Sequence, residues 1–220
     1  MNNQMNVANF FDELYRNQAR YWWQGNVRYV TDANSYPHSL LTQMTLRLLA
    51  RKPSGRALDL GAGEGADSIR LALLGYSVDA VEISRVGADK ISKFAAEAGA
   101  TVNVEVADIR TYEPNGEFDV VICNGALHYV DDKGMVIRRM QMATRSSGIN
   151  VVSLWSKYTP VPECHVRVPV FCDDEDGIVV ALYREWMKEL IYFERAKLEQ
   201  SHDGMPQHSH SHIKLIARKP

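Results

Sequence analysis

The sequence predicts an α/β fold: a doubly wound sheet of seven mostly parallel strands, the last one antiparallel, with a helical segment in front. Three observations predict it. Strand-like and helix-like segments alternate with short gaps from residue 57 to residue 156. The strands are apolar on both faces, as strands covered by helices on each side must be. The first strand also runs directly into a glycine-rich turn, "GAGEG" (61–65), that opens a helix.

Residues 5–24 read as a helix, with Phe10, Leu14 and Tyr21 on its apolar side. Residues 39–51 repeat apolar positions at helical spacing and stop at Pro53. "ALDL" (57–60) is a short buried strand, and 65–76 a helix closed near Gly75. A strand (77–83), a helix (85–99), two strands (101–109 and 118–125), a helix (132–145) and a strand (148–156) follow. Three prolines in 157–171 mark a loop, and 173–190 reads as a capped helix. Residues 191–200 and 212–218 read as two final strands, joined by a Gly/Pro-bearing loop. This divides the chain into a helical segment or lid at 1–52 and a ligand-binding domain at 53–220.

With 220 residues, 45% hydrophobic, the chain can build one sizeable core. A net charge of −2 gives no electrostatic footprint for nucleic acid. No apolar run approaches the ~20 residues that span a bilayer, and "MNNQMNVANFFDEL" lacks the basic and apolar regions of a secretory signal. Three cysteines without a CxxC pair predict reduced thiols and a cytoplasmic protein. Cys123, inside an apolar strand, is expected to be buried and inert.

The glycine loop sits between a strand and a helix N-terminus, where bare amides can approach a ligand. "GAGEGA" (61–66) fits a dinucleotide pattern, with Glu82 placed for a ribose diol, so an NAD(P)-dependent oxidoreductase is one reading. Asp59 argues against it, because a carboxylate there repels a pyrophosphate. S-adenosyl-L-methionine has no phosphate. It offers a diol to Glu82, an adenine to Asp108 and Ile109, an ammonium to Asp59 and a sulfonium suited to acids and aromatics. A tight turn alone would explain the glycines, but not acids at three successive strand ends. A cofactor-binding module without catalysis is the remaining alternative.

The sequence here resembles the class I S-adenosylmethionine-dependent methyltransferases, whose fold is Rossmann-like. "ALDLGAGEG" looks like their first motif, "VDAVEIS" (78–84) their second, "VEVADIR" (104–110) their adenine motif and "FDVVICNGALHYV" (118–130) their fourth strand and its loop. Of their later Leu-Lys-Pro-Gly-Gly turn this chain keeps only Gly148. The C-terminal third, ending "LIARKP", is similar to the tellurite-resistance-type methyltransferases. The resemblance implies transfer of a methyl group to a small-molecule acceptor, such as a metalloid oxyanion, thiol, amine or carboxylate. It implies a cofactor site framed by Asp59, Gly61, Gly63, Glu82, Ile83, Asp108, Ile109 and Asn124.

Such a displacement needs an acceptor lone pair about 3 Å from the methyl carbon and a base where the acceptor carries a proton; it requires no metal. His202 is the first candidate, His208 the second, both read as lying in the loop between the last two strands. His128, after the fourth strand, is the third. Tyr15, Arg20 and Trp22 are candidate lid contacts. His208, His210 and His212 alternate along a strand and so share one face, which is expected to lie at the surface rather than to hold a metal.

Overall fold

The computed structural model describes residues 6–21, 31–33, 39–51, 54–162, 167–200 and 206–220. A seven-stranded sheet is ordered β3-β2-β1-β4-β5-β7-β6. Its strands are β1 (Gly55–Leu60), β2 (Tyr76–Glu82), β3 (Asn103–Val106), β4 (Phe118–Asn124), β5 (Thr144–Trp155), β6 (Met187–Glu199) and β7 (His208–Arg218). β1 pairs in parallel with β2 and β4, β2 with β3, and β4 with β5. β7 alone runs against its neighbours β5 and β6. The expected doubly wound, mostly parallel sheet is therefore present.

The order reverses between β1 and β4, as two right-handed βαβ halves require. The helices are α1 (Val7–Arg16), α2 (Leu40–Leu49), α3 (Ala66–Leu73), α4 (Arg85–Ala98), α5 (Lys133–Ala143) and α6 (Ile178–Leu182). Apolar clusters cover both sheet faces. One joins Leu58, Val121, Val152 and Leu215 to Ile137 and Met140 of α5 and to Tyr183. The other joins Ala57, Val120, Val151 and Ile216 to Leu41 and Leu49 of α2. Alternate residues of the same strands appear in opposite clusters, the period of two expected of a strand.

Two elements depart most from the sequence expectation, and each has a physical reason. The first helix stops at Arg16 rather than running to 24. Beyond it, tertiary hydrogen bonds replace helical ones: Lys90 Nζ donates to the Gln18 carbonyl at 2.6 Å, and the Tyr21 amide donates to Glu64 Oε2 at 2.8 Å. The expected helix over 173–190 shrinks to the five residues of α6, and Met187 onward is strand. β7 offers Met187 and Lys188 a pairing register against Arg218 and Ala217. A ladder of hydrogen bonds and a half-buried face override the weak local preference of "REWMKEL".

A buried polar chain ties α6 to the sheet. Tyr183 Oη donates to Asn150 Oδ1 (2.8 Å), Asn150 Nδ2 to Thr144 Oγ1 (2.6 Å), and Thr144 Oγ1 to the Met140 carbonyl (2.6 Å). Tyr183 and Asn150 are both 0% exposed, so the Asn150 oxygen has no water to fall back on. Tyr183→Phe is expected to cost about 1–3 kcal/mol by stranding that acceptor; urea denaturation of the two proteins measures it.

Candidate active site

The carboxyl ends of β1, β2 and β4 open on one cavity of about 680 Å³. The loop after β1 forms its floor. Gly61 adopts φ +72°, and a Cβ there would sit 2.4 Å from the Ala126 side chain, so a side chain at this position would meet both backbone strain and a wall. The Gly61 and Ala62 amides donate to the Val81 carbonyl, at 2.8 and 3.0 Å, which clamps the loop to β2. Gly87, at the start of α4, lets three parts meet: a Cβ there would lie 3.0 Å from the Gly63 carbonyl and from Tyr15, and 3.1 Å from Glu82.

Two buried carboxylates rim this floor. Asp59 is 2% exposed and accepts from Ser68 Oγ at 2.6 Å. Burial, aided by the negative charge of Asp67, raises its pKa from 3.8 to about 7. Glu82 is 3% exposed and accepts from the Gly63 amide (2.8 Å) and the Ser84 amide (2.9 Å). Burial raises its pKa from 4.5 to about 7 despite these bonds. Each oxygen keeps a second lone pair for a ligand hydroxyl. No cation among the described residues lies in salt-bridge contact with either carboxylate, so the floor suits a cationic nucleoside.

Ile83, Asp108, Ile109 and Asn124 line the same cavity. Burial works against the Asp108 charge, but hydrogen bonds from Arg110 outweigh it and hold the carboxyl below its usual value. Asn124 Nδ2 donates to Asp67 Oδ2 at 2.9 Å. All eight residues expected to frame a cofactor therefore stand around one space.

The other expected residues divide. Tyr15 is 2% exposed and lines the cavity. Arg20 does not: it donates to Glu97 (2.8 Å) and lies 3.7 Å over the Phe94 ring on α4. Trp22 and His202 lie outside the described residues. His208 belongs to β7 rather than to a loop, and it is not among the residues that line the cavity. His128 is 3% exposed, lines the cavity and stacks on Trp155 (4.2 Å between centroids, planes 8° apart). Cys123 is fully buried, and burial pushes its thiol far above the usual range.

The histidine face expected at the surface is instead interior. β7 lies between β5 and β6, so both its edges are paired, and the face carrying His210 and His212 turns towards the cavity. His210 is 4% exposed and stacks on Trp155 (4.0 Å, 15°), and His210 and His212 both line the cavity. Burial and the nearby Lys214 charge lower the His212 pKa to about 4, so its ring is neutral at pH 7. His128 comes from the β4 side of Trp155 and His210 from the β7 side, so the two imidazoles sandwich the indole.

Sequence reasoning missed the groups that hold the N-terminal segment to the site. Asp12 accepts from Ser84 Oγ (2.5 Å) and the Val86 amide (3.2 Å), at the end of β2. Glu64, 1% exposed inside the glycine loop, accepts from Lys90 Nζ (2.7 Å) and the Tyr21 amide. An acid between two glycines was the only available signal.

The two raised carboxyls fix a pH dependence. Both folded values lie above the unfolded ones, so the free protein binds extra protons between about pH 4 and 7. Their contribution to stability is present at low pH and is lost as pH rises through about 7. A bound cation favours the ionised forms. S-adenosylmethionine is therefore expected to bind more tightly as pH rises from 5 towards 7, by at most roughly tenfold per pH unit for each linked proton. Titration calorimetry in two buffers should show proton release, and Asp59→Asn should flatten the profile.

Residues 57–148 match the methyltransferase domain family. Two curated relatives are ubiquinone biosynthesis O-methyltransferases. That of Actinobacillus pleuropneumoniae serotype 7 is 25% identical over 147 residues, 62% of this chain and 60% of the relative. That of Ralstonia nicotianae is 28% identical over 138 residues, 62% of this chain and 57% of the relative. The chain thus spans less than two thirds of the length of either. Among solved structures, TehB from Haemophilus influenzae superposes with a TM-score of 0.70 at 17% identity, covering 85% of this chain and 64% of TehB. The N-methyltransferase NodS from Bradyrhizobium japonicum, solved with S-adenosylhomocysteine, gives 0.64 at 13% identity over 98% of this chain and all of NodS. Sheet order and the acid-rimmed glycine loop agree with the methyltransferase domain matched over residues 57–148.

Proposed function

We propose that the protein transfers the methyl group of S-adenosylmethionine to an oxygen of a small, partly apolar molecule. The carrying observation is that one cavity joins the acid-rimmed loop to an aromatic end made by Phe10, Tyr129 and Trp155 with His128 and His210. Its volume falls within the roughly 300–1,000 Å³ typical of small-molecule sites. The names of the curated relatives, O-methyltransferases, support oxygen as the acceptor atom. Metalloid oxyanions, thiols, amines and carboxylates are the competing acceptors.

The cofactor supplies a methyl carbon made electrophilic by the sulfonium. On this reading Glu82 holds the ribose, Asp59 the amino group, and Ile83, Asp108 and Ile109 the adenine. The stacked rings at the other end exclude water and orient a flat acceptor. His128 reaches the cavity wall and accepts the acceptor's proton. A dinucleotide is disfavoured by the same electrostatics, since its pyrophosphate would meet Asp59 and Asp67.

The test is an acceptor panel of phenols, enols, tellurite, thiols, amines and carboxylates with methyl-labelled cofactor. Label should move to a hydroxyl-bearing acceptor. Cofactor binding without transfer to any member overturns catalysis, and tight NADH binding without S-adenosylhomocysteine binding overturns the cofactor reading. His128→Phe keeps the stack on Trp155 but removes the base; kcat is expected to fall about 10²-fold with cofactor affinity unchanged.

A further inference from the structure

We propose that Glu199, His208 and His210 form a binding site for a divalent transition cation of the zinc type, at the acceptor end of the cavity. The ligand atoms of these three residues all lie within 4.8 Å of one another. The hairpin brings them together by register. Glu199 of β6 pairs directly with His208 of β7, so their side chains share a face, and His210 follows two residues later on that face.

The local chemistry prepares the ligands. His208 Nδ1 stands 2.8 Å from the Pro206 carbonyl. A proton on Nδ1 satisfies that contact and leaves the Nε2 lone pair for a metal, the outer-shell arrangement that orients ligating histidines. Nε2 already lies 3.7 Å from Glu199 Oε2. In a tetrahedral site with bonds near 2.1 Å, ligand atoms stand about 3.4 Å apart, so modest side-chain rotation closes the group. His210 is held in place by its stack on Trp155. Two imidazoles and one carboxylate suit zinc or a neighbouring transition metal better than calcium or magnesium.

Glu199 and His210 line the cavity, and the ligand atom of His208 lies within 4.8 Å of theirs. Three protein ligands leave a fourth position open towards the space where an acceptor would sit, as catalytic zinc sites do. This role rests on the methyl-transfer reading; the cation site itself does not. A bound hydroxyl would lose its proton to solvent or to His128. Its oxygen lone pair then forms the new bond to the methyl carbon as the carbon–sulfur bond breaks. The electron pair leaves with the thioether, and its positive charge is discharged.

The experiment is calorimetric titration of the EDTA-dialysed protein with zinc chloride, followed by visible spectroscopy with cobalt(II). One ion per chain with micromolar or tighter affinity is expected, with the intense bands of tetrahedral cobalt. Glu199→Gln and His210→Phe should each weaken binding by at least about tenfold, while His212→Asn leaves it unchanged. Absence of stoichiometric binding, or affinity kept in the Glu199 and His210 variants, overturns the site; loss in the His212 variant overturns this ligand set. S-adenosylhomocysteine affinity, measured on the same variants, shows that each is folded. Failure of the parent protein to bind it counts against the methyltransferase reading and leaves the cation result standing.

Discussion

The structure is organised around negative charge kept out of water. Asp59 and Glu82 stand at the ends of adjacent strands, both nearly sealed from solvent, with no cation among the described residues in salt-bridge contact with them. Burying a charge without a partner is expensive, and the raised pKa values express that cost. The surrounding frame holds them there: parallel pairing of β1 and β2 fixes their separation, Ser68 and two backbone amides fix their orientation, and α1 is pinned across the strand end by Asp12. A ligand carrying positive charge and hydroxyl groups relieves what the fold has imposed. The free protein is thus built at some cost to its own stability, in a form complementary to a cationic ligand with hydroxyl groups.

The cofactor half was readable in the sequence because its determinants are local. Strand, turn and helix follow within twenty residues, and the acids sit at strand ends that periodicity locates. Asp59, Gly61, Gly63, Glu82, Asp108 and Asn124 all meet at one cavity for that reason. The half proposed for the acceptor was not readable, because it is made by pairing between distant segments. Nothing local in "HSHSH" says that this strand pairs with β5 and β6 and turns His210 and His212 towards the cavity, so a face read as external is internal. The helix expected over 173–190 failed for the same cause: the ladder from Met187 to Arg218 outranks the propensity of "REWMKEL". The N-terminal segment falls between these cases. Its helix was visible, but the reach of Glu64 and Lys90 to Tyr21 and Gln18 that ends it was not.

The two halves also differ in how they are stiffened. At the glycine loop the Gly61, Ala62 and Gly63 amides hold the backbone, tied to the Val81 carbonyl or to Glu82. At the far end, rings do it. His128, Trp155 and His210 come from the segment after β4, from β5 and from β7, and each is held by a neighbour in another part of the chain.

That three-ring stack links chemistry to architecture. The gaps between its rings are close to van der Waals contact, so none can turn without moving the next. The placing of Trp155 against His210 therefore follows from the pairing of β5 with β7, which hydrogen bonding sets near 4.8 Å apart, and His128 closes the stack from the turn after β4. The wall that Trp155 and His210 make is therefore a property of the sheet itself, and any molecule that enters this space has to fit against it.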